Sequence, residues 1–194
     1  MKIILILIVL LLSGCSVTTP STTDYRIDPK VTIDDKTTST KQSIKIAPLF
    51  TNVSLSTNSM RYRVGDYKEY TFTQSAWVDN PNRSIANHLV HVLQNSGLFE
   101  GVYSYKSSKS ADLVLEVSID EFIQSFNEAE DSSSVTLSIS YNLIEKKTSK
   151  LLGSKNFTKT MQTKTVDAQG GVEALNMLLS QTLKETTMWL GKSL

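Results

Sequence analysis

The chain has 194 residues, 40% of them hydrophobic, with 20 Lys and Arg against 19 Asp and Glu. So even a balance speaks against a nucleic-acid partner, which calls for a basic face or stripe. The single cysteine excludes an intrachain disulfide, so the fold must rest on packing, and the chain is long enough to bury a real core.

Lys2 precedes an apolar run over residues 3–12, which closes in Leu12-Ser13-Gly14-Cys15. About 18 apolar residues are needed to span a bilayer, whereas the apolar core of a signal peptide runs about 7–15. The pattern is that of a bacterial lipoprotein signal. Residues 1–14 are expected to be removed. The Cys15 thiol takes a diacylglyceryl thioether, and the freed amine takes a further acyl chain such as palmitate. Two or more chains anchor stably where one holds only reversibly. Ser16, in place of an aspartate after the cysteine, leans toward the outer membrane, with the domain facing the periplasm. Without Lys2 the mature chain carries 19 basic and 19 acidic residues.

Residues 16–23, mostly Ser and Thr, read as an extended or disordered tether. A domain over 24–194 follows. A short strand is expected over 25–27, then a loop through 41. Residues 43–49 alternate apolar and polar, a half-buried strand that Pro48 ends. After a polar loop over 52–58, strands over 60–64 and 67–72 flank Gly65-Asp66, a β-hairpin. Asn80 and Pro81 suit the N-cap and first position of a helix striped by Ile85, Leu89, Val92 and Leu93, and Gly97 suits its left-handed stop. Strands over 111–123, 135–143 and 151–163 form an antiparallel meander with one buried face, and the lysines of the turn at 146–150 are solvated. Gln169-Gly170-Gly171 reads as a flexible lead into a last helix over 172–190. The order implies a single α/β layered domain, with a mixed, mostly antiparallel sheet packed by two main helices.

No residue set points to catalysis. His88 and His91, at i and i+3, are the only histidines and lack the partners of a helical zinc motif. No serine lies in Gly-x-Ser-x-Gly, and Gly170-Gly171 lacks the Lys-Ser/Thr of a phosphate loop. Glu128, Glu130 and Asp131 read as a solvated loop. No metal or cofactor is implied. Trp77 and Trp189 are aromatic anchors. Trp189 suits the core, and Trp77, ahead of the first helix, is weighed between packing and an interface.

The ordered set resembles the ABC-type transport auxiliary lipoproteins, the PqiC-like family. It runs from Tyr62-Arg63 in a hairpin through Tyr67 to Tyr70, Trp77, a helix ending Asn95-Ser96-Gly97-Leu98-Phe99, and Ala111-Asp112-Leu113-Val114-Leu115-Glu116. Leu151-Leu152-Gly153 with Phe157, and a closing helix ending Trp189-Leu190, complete it. The resemblance covers about residues 24–191. It implies a non-enzymatic component of a transporter moving lipids or other hydrophobic compounds between the membranes. Its partners would be an MCE-domain protein and an ABC permease and ATPase, with a homo-oligomeric ring as an option. Cys15 is the expected anchor; Tyr62, Arg63, Asp66, Tyr67 and Trp77 are the expected partner contacts. The alternatives are an outer-membrane assembly lipoprotein supporting a β-barrel or secretion pore, and a lipid-anchored hydrolase using a histidine.

Overall fold

A computed structural model describes residues 21–33 and 39–194. The signal segment, Cys15 and most of the tether lie outside the described residues. The strands are β1 (Thr23–Tyr25), β2 (Ser43–Ile46), β3 (Phe50–Thr51), β4 (Ser59–Val64), β5 (Lys68–Trp77), β6 (Gly101–Tyr103), β7 (Leu113–Phe126), β8 (Ser133–Glu145) and β9 (Lys150–Gln162). The helices are α1 (Pro81–Ser96) and α2 (Ala168–Lys192), with a 3-10 turn over Val53–Ser56.

One mixed sheet holds all these strands, and β7 is its spine. On one side β7 pairs antiparallel with β8 along its length, and β8 pairs with β9, forming the expected meander. On its other side three short strands share β7 end to end, all parallel: β2 at Leu113, β3 at Ser118 and β4 at Gln124. β6 extends the sheet from β2; β5 and then β1 extend it from β4. Most of the paired length is antiparallel, and the parallel pairs are two or three residues each.

The burial phase of β7 changes midway. Leu113, Leu115, Val117 and Ile119 are buried, and then Phe122, Gln124 and Phe126 take over. A bulge at Asp120 inserts one unpaired residue and flips the alternation. It also carries the strand to Phe126, beyond the expected end at 123, because Phe126 now faces inward. β1 ends earlier than the expected strand at 25–27. The Ile27 carbonyl is engaged by α1 instead, with His88 Nε2 3.0 Å away and Ser84 Oγ 3.5 Å away.

α1 starts and stops as its sequence requires. The Asn80 side chain accepts from Arg83 N at 2.8 Å, and Gly97 ends the helix at φ +66°. Ile85, Leu89 and Leu93 are fully buried, each contributing about 1.5–3 kcal/mol relative to exposure. α2 begins earlier than expected, at Ala168, so both glycines lie within its first turn. The Asp167 side chain caps it, accepting from Gly170 N at 2.8 Å. Its buried stripe, Val172 through Leu190, packs with α1 and the inner sheet face in one core. Trp189 sits at the rim of that core, 6.1 Å from the Tyr141 ring.

Candidate functional site

The β4–β5 hairpin carries four of the five expected contact residues near its turn and flank, with Trp77 at its base. Gly65 makes the turn at φ +60°, and its N–H donates to Phe126 O at 3.1 Å, tying the turn to the end of β7. The turn thrusts Tyr67 into solvent, where it is 95% exposed, with Asp66 exposed beside it. Behind it Tyr62 is half-buried, its ring centroid 4.4 Å from Phe72, 5.3 Å from Phe126 and 5.6 Å from Tyr70. These rings stiffen the hairpin by packing that strand pairing alone would not supply.

The other hairpin face is ionic. Arg63 Nη2 donates to Glu121 Oε1 at 3.0 Å and lies 3.7 Å from Glu69, which also faces Arg61 at 3.8 Å. These groups line a polar cleft with Asn52, Ser54 and Asp120. Trp77 forms the floor, 5% exposed, its ring 5.8 Å from Phe122. So the structure divides the expected contacts by accessibility. Asp66 and Tyr67 lie at the surface, Tyr62 and Arg63 serve the hairpin's own packing and pairing, and the Trp77 side chain is inside. β1 covers only Ser75–Trp77 of β5, so residues 68–74 present an open strand edge among the described residues. That edge was not foreseen.

His88 and His91 lie beside Arg26, Asp28 and Arg83 in a shallow depression. The Lys30 ammonium hydrogen-bonded to Asp28 holds its carboxyl below the usual carboxylate range. At 3.0 Å from Ile27 O, His88 is placed to donate its ring N–H to that carbonyl. Among the described residues no three His, Cys, Asp or Glu side chains are grouped to hold a metal ion. Glu128, Glu130 and Asp131 are exposed on the β7–β8 loop, where Asn127 Nδ2 donates to Asp131 at 2.7 Å.

The fold is that of an α/β layered domain presenting a stiff hairpin. The chain belongs to the family described as the ABC-type transport auxiliary lipoprotein component, whose model matches residues 25–186. Membership makes it a transport auxiliary of the cell envelope. The family is one of transport components, not a known enzyme family. The fold is shared with protein XCC0632 from Xanthomonas campestris, at TM-score 0.80 and 15% identity, covering 88% of this chain and 96% of that one. The hypothetical protein CT253 from Chlamydia trachomatis is similar at TM-score 0.51 and 10% identity, covering 78% and 95%. No curated protein matches the sequence.

Proposed function

We propose that this protein is the lipid-anchored, periplasm-facing auxiliary component of an ABC and MCE-type transporter that moves lipids or other hydrophobic compounds between the two membranes. It acts by docking, without chemistry of its own. The family match over residues 25–186, nearly the whole domain, carries this reading. Cys15 fixes the chain, within the outer membrane, through its acyl chains. Asp66 and Tyr67 at the hairpin turn make the partner contact, with Tyr62, Arg63 and Trp77 holding the hairpin in position. The open edge of β5 supports a contact there, because an unpaired strand edge is a template for another chain.

Purification of the full-length protein from detergent-solubilised envelopes tests this. An MCE-domain protein should be retained with it. Retention of a β-barrel instead would assign the protein to outer-membrane assembly. Retention of neither, from protein that still unfolds cooperatively, would overturn the docking role. Metabolic labelling with a palmitate analogue should mark the wild type and leave Cys15→Ser unlabelled; label on the variant would refute the anchor.

A further inference from the structure

The charges of this near-neutral chain are sorted to the two ends of β7. At the Phe126 end, the hairpin turn and the β7–β8 loop place Asp66, Glu128, Glu130 and Asp131 against Lys68, a net of −3. At the Leu113 end, the loop over 104–112 and the β8–β9 turn bring together Lys106, Lys109, Lys146, Lys147 and Lys150 against Asp112 and Glu145, a net of +3. β7 has 14 residues, so the poles stand about 40 Å apart at roughly 3.3 Å per residue. That is several times the screening length of about 8 Å at physiological salt, so each pole acts on what is near it alone.

The basic pole is more than a solvated turn. Its two carboxylates are occupied by hydroxyls. Asp112 Oδ2 accepts from Ser43 Oγ at 2.6 Å and from Ser43 N at 2.8 Å, and Glu145 accepts from Thr148 Oγ1. None of the five lysines has a carboxylate within ion-pair distance among the described residues. The two loops are also fastened together. Lys146 N donates to Asp112 O at 2.9 Å and Lys146 Nζ to Ser110 Oγ at 2.8 Å, while Lys45 Nζ on β2 donates to Ser107 O at 2.7 Å and ties the first loop to the sheet. The lysines therefore stand on an ordered platform that carries a net charge of +3, none of them in a direct ion pair among the described residues.

The sheet decides which way this platform faces. β1 runs parallel to β5 with Thr23 beside Ser75, and β5 starts at the hairpin turn. The chain therefore comes to Thr23 from the hairpin side, the acidic end. Through the pairs Ala76–Ser59 and Tyr62–Gln124, Thr23 lies near the level of residue 121 on β7. The β8–β9 turn is then roughly 26 Å away along the strands and about 20 Å across them, some 33 Å on the diagonal. Eight residues separate Cys15 from Thr23, at most about 29 Å when fully extended. A tether of that length falls short of the β8–β9 turn and comes near the 104–112 loop, which lies on the β1 side of β7, only when fully extended, so the anchor favours the acidic end facing the membrane. Laying it flat would press both poles on the membrane, with opposite effects.

We infer that the basic pole, Lys106, Lys109, Lys146, Lys147 and Lys150, is a second docking surface, separate from the hairpin turn, for an acidic protein surface of the transport partner, at the end of the domain farther from its lipid anchor. This rests on the transporter reading above and names the partner's chemistry. Five ammonium groups with no carboxylate partner among the described residues, on a fixed platform, select carboxylates, and the resulting contact is rapid to form and sensitive to salt.

Zero-length carbodiimide coupling tests it directly, since it joins a lysine amine to a carboxylate. Applied to native envelopes holding the full chain, it should yield peptides in which Lys147 or Lys150 is bonded to an Asp or Glu of the MCE-domain partner. The triple variant Lys146→Glu, Lys147→Glu, Lys150→Glu should lower retention of that partner at least about tenfold, while still unfolding cooperatively in urea. The corresponding triple Lys→Gln variant should fall between it and the wild type. Retention of the partner at wild-type level by the charge-reversed variant, with the pole lysines uncoupled, overturns this inference and leaves the transporter reading intact. Coupling of the pole lysines to carboxylates of another protein, lost on charge reversal and with no MCE-domain protein retained, supports the pole and overturns the transporter. Protection of the same lysines from reductive methylation in 3:1 phosphatidylethanolamine–phosphatidylglycerol vesicles carrying the lipoprotein alone assigns the pole to lipid and overturns the inference.

Discussion

Gly171→Ala sets two physical effects against each other. In an exposed helix interior the change favours folding by about 1 kcal/mol, because alanine has the better propensity and loses less backbone freedom. Here a Cβ on Gly171 would lie 2.0 Å from Gln124 Oε1 and 2.6 Å from its Cδ. The glutamine is 3% exposed and cannot simply swing away. Its amide donates to Ser133 Oγ at 2.9 Å and to Asp167 O at 3.0 Å. Moving it by more than an ångström would break bonds worth about 1 kcal/mol each and strain a packed core by a further 1–3 kcal/mol or so. The net expectation is a loss of about 2–4 kcal/mol, read as a lower urea midpoint at constant slope. The thermal midpoint should fall by roughly 4–16 °C. Gly170→Ala should lose a similar amount, because its Cβ would meet the Thr165 backbone carbonyl at 2.2 Å. Gly97→Ala is the control. Nothing lies within 4 Å of its Cβ position, so only the left-handed backbone costs about 1–2 kcal/mol. A Gly171→Ala variant as stable as the wild type, or more so, would refute the close-approach argument.

Two further outcomes follow from the α2 region. The hydrogen bond from Gly170 N, then that from Thr165, holds the Asp167 carboxyl below its ordinary value of 3.8. A depressed carboxyl stabilises the fold above that ordinary value and loses its contribution as pH falls through the lower folded value. Asp167→Ala should therefore cost about 1 kcal/mol near neutrality, and denaturation curves of variant and wild type should converge in acid; a difference independent of pH would exclude the carboxylate as its source. The Tyr141 phenol is fully buried, and burial pushes its pKa up. Thr186 lies close enough to favour the phenolate slightly, but the Thr186 hydroxyl donates to Thr182 O, and Tyr141 Oη has no partner that meets hydrogen-bond geometry among the described residues. Tyr141→Phe should thus be neutral or stabilising by up to about 1 kcal/mol; a loss above that, by urea titration, would show that the hydroxyl is bonded.

Local chemistry made several elements legible in the chain itself. The Asn80–Pro81 start and Gly97 stop of α1, the glycine turn of the hairpin and the alternation of the meander each depend on a few neighbouring residues, and the structure places them as read. The phase change in β7 was also written in the sequence, where Ile119 is followed by Asp120, Glu121 and Phe122, but only pairing with β8 shows the bulge that causes it. Gly170-Gly171 read as a flexible lead because glycine is a poor helix former. The need for it comes from Gln124 and Thr165, distant in one case and adjacent in the other, whose approach no local pattern encodes.

The expected contact residues divide along the same line. Tyr62, Arg63, Asp66, Tyr67 and Trp77 were chosen by type and order. Which of them reaches solvent depends on the rings and carboxylates packed around them, so Tyr67 stands out while Trp77 lies beneath the cleft. What the sequence by itself determined was the α/β class and the family, because these rest on hydropathy, periodicity and the order of residues. Only the tertiary structure decided which end of the domain is basic. That follows from lysines 40 residues apart in the chain being brought together across β7 and β8, where the loop over 104–112 meets the β8–β9 turn.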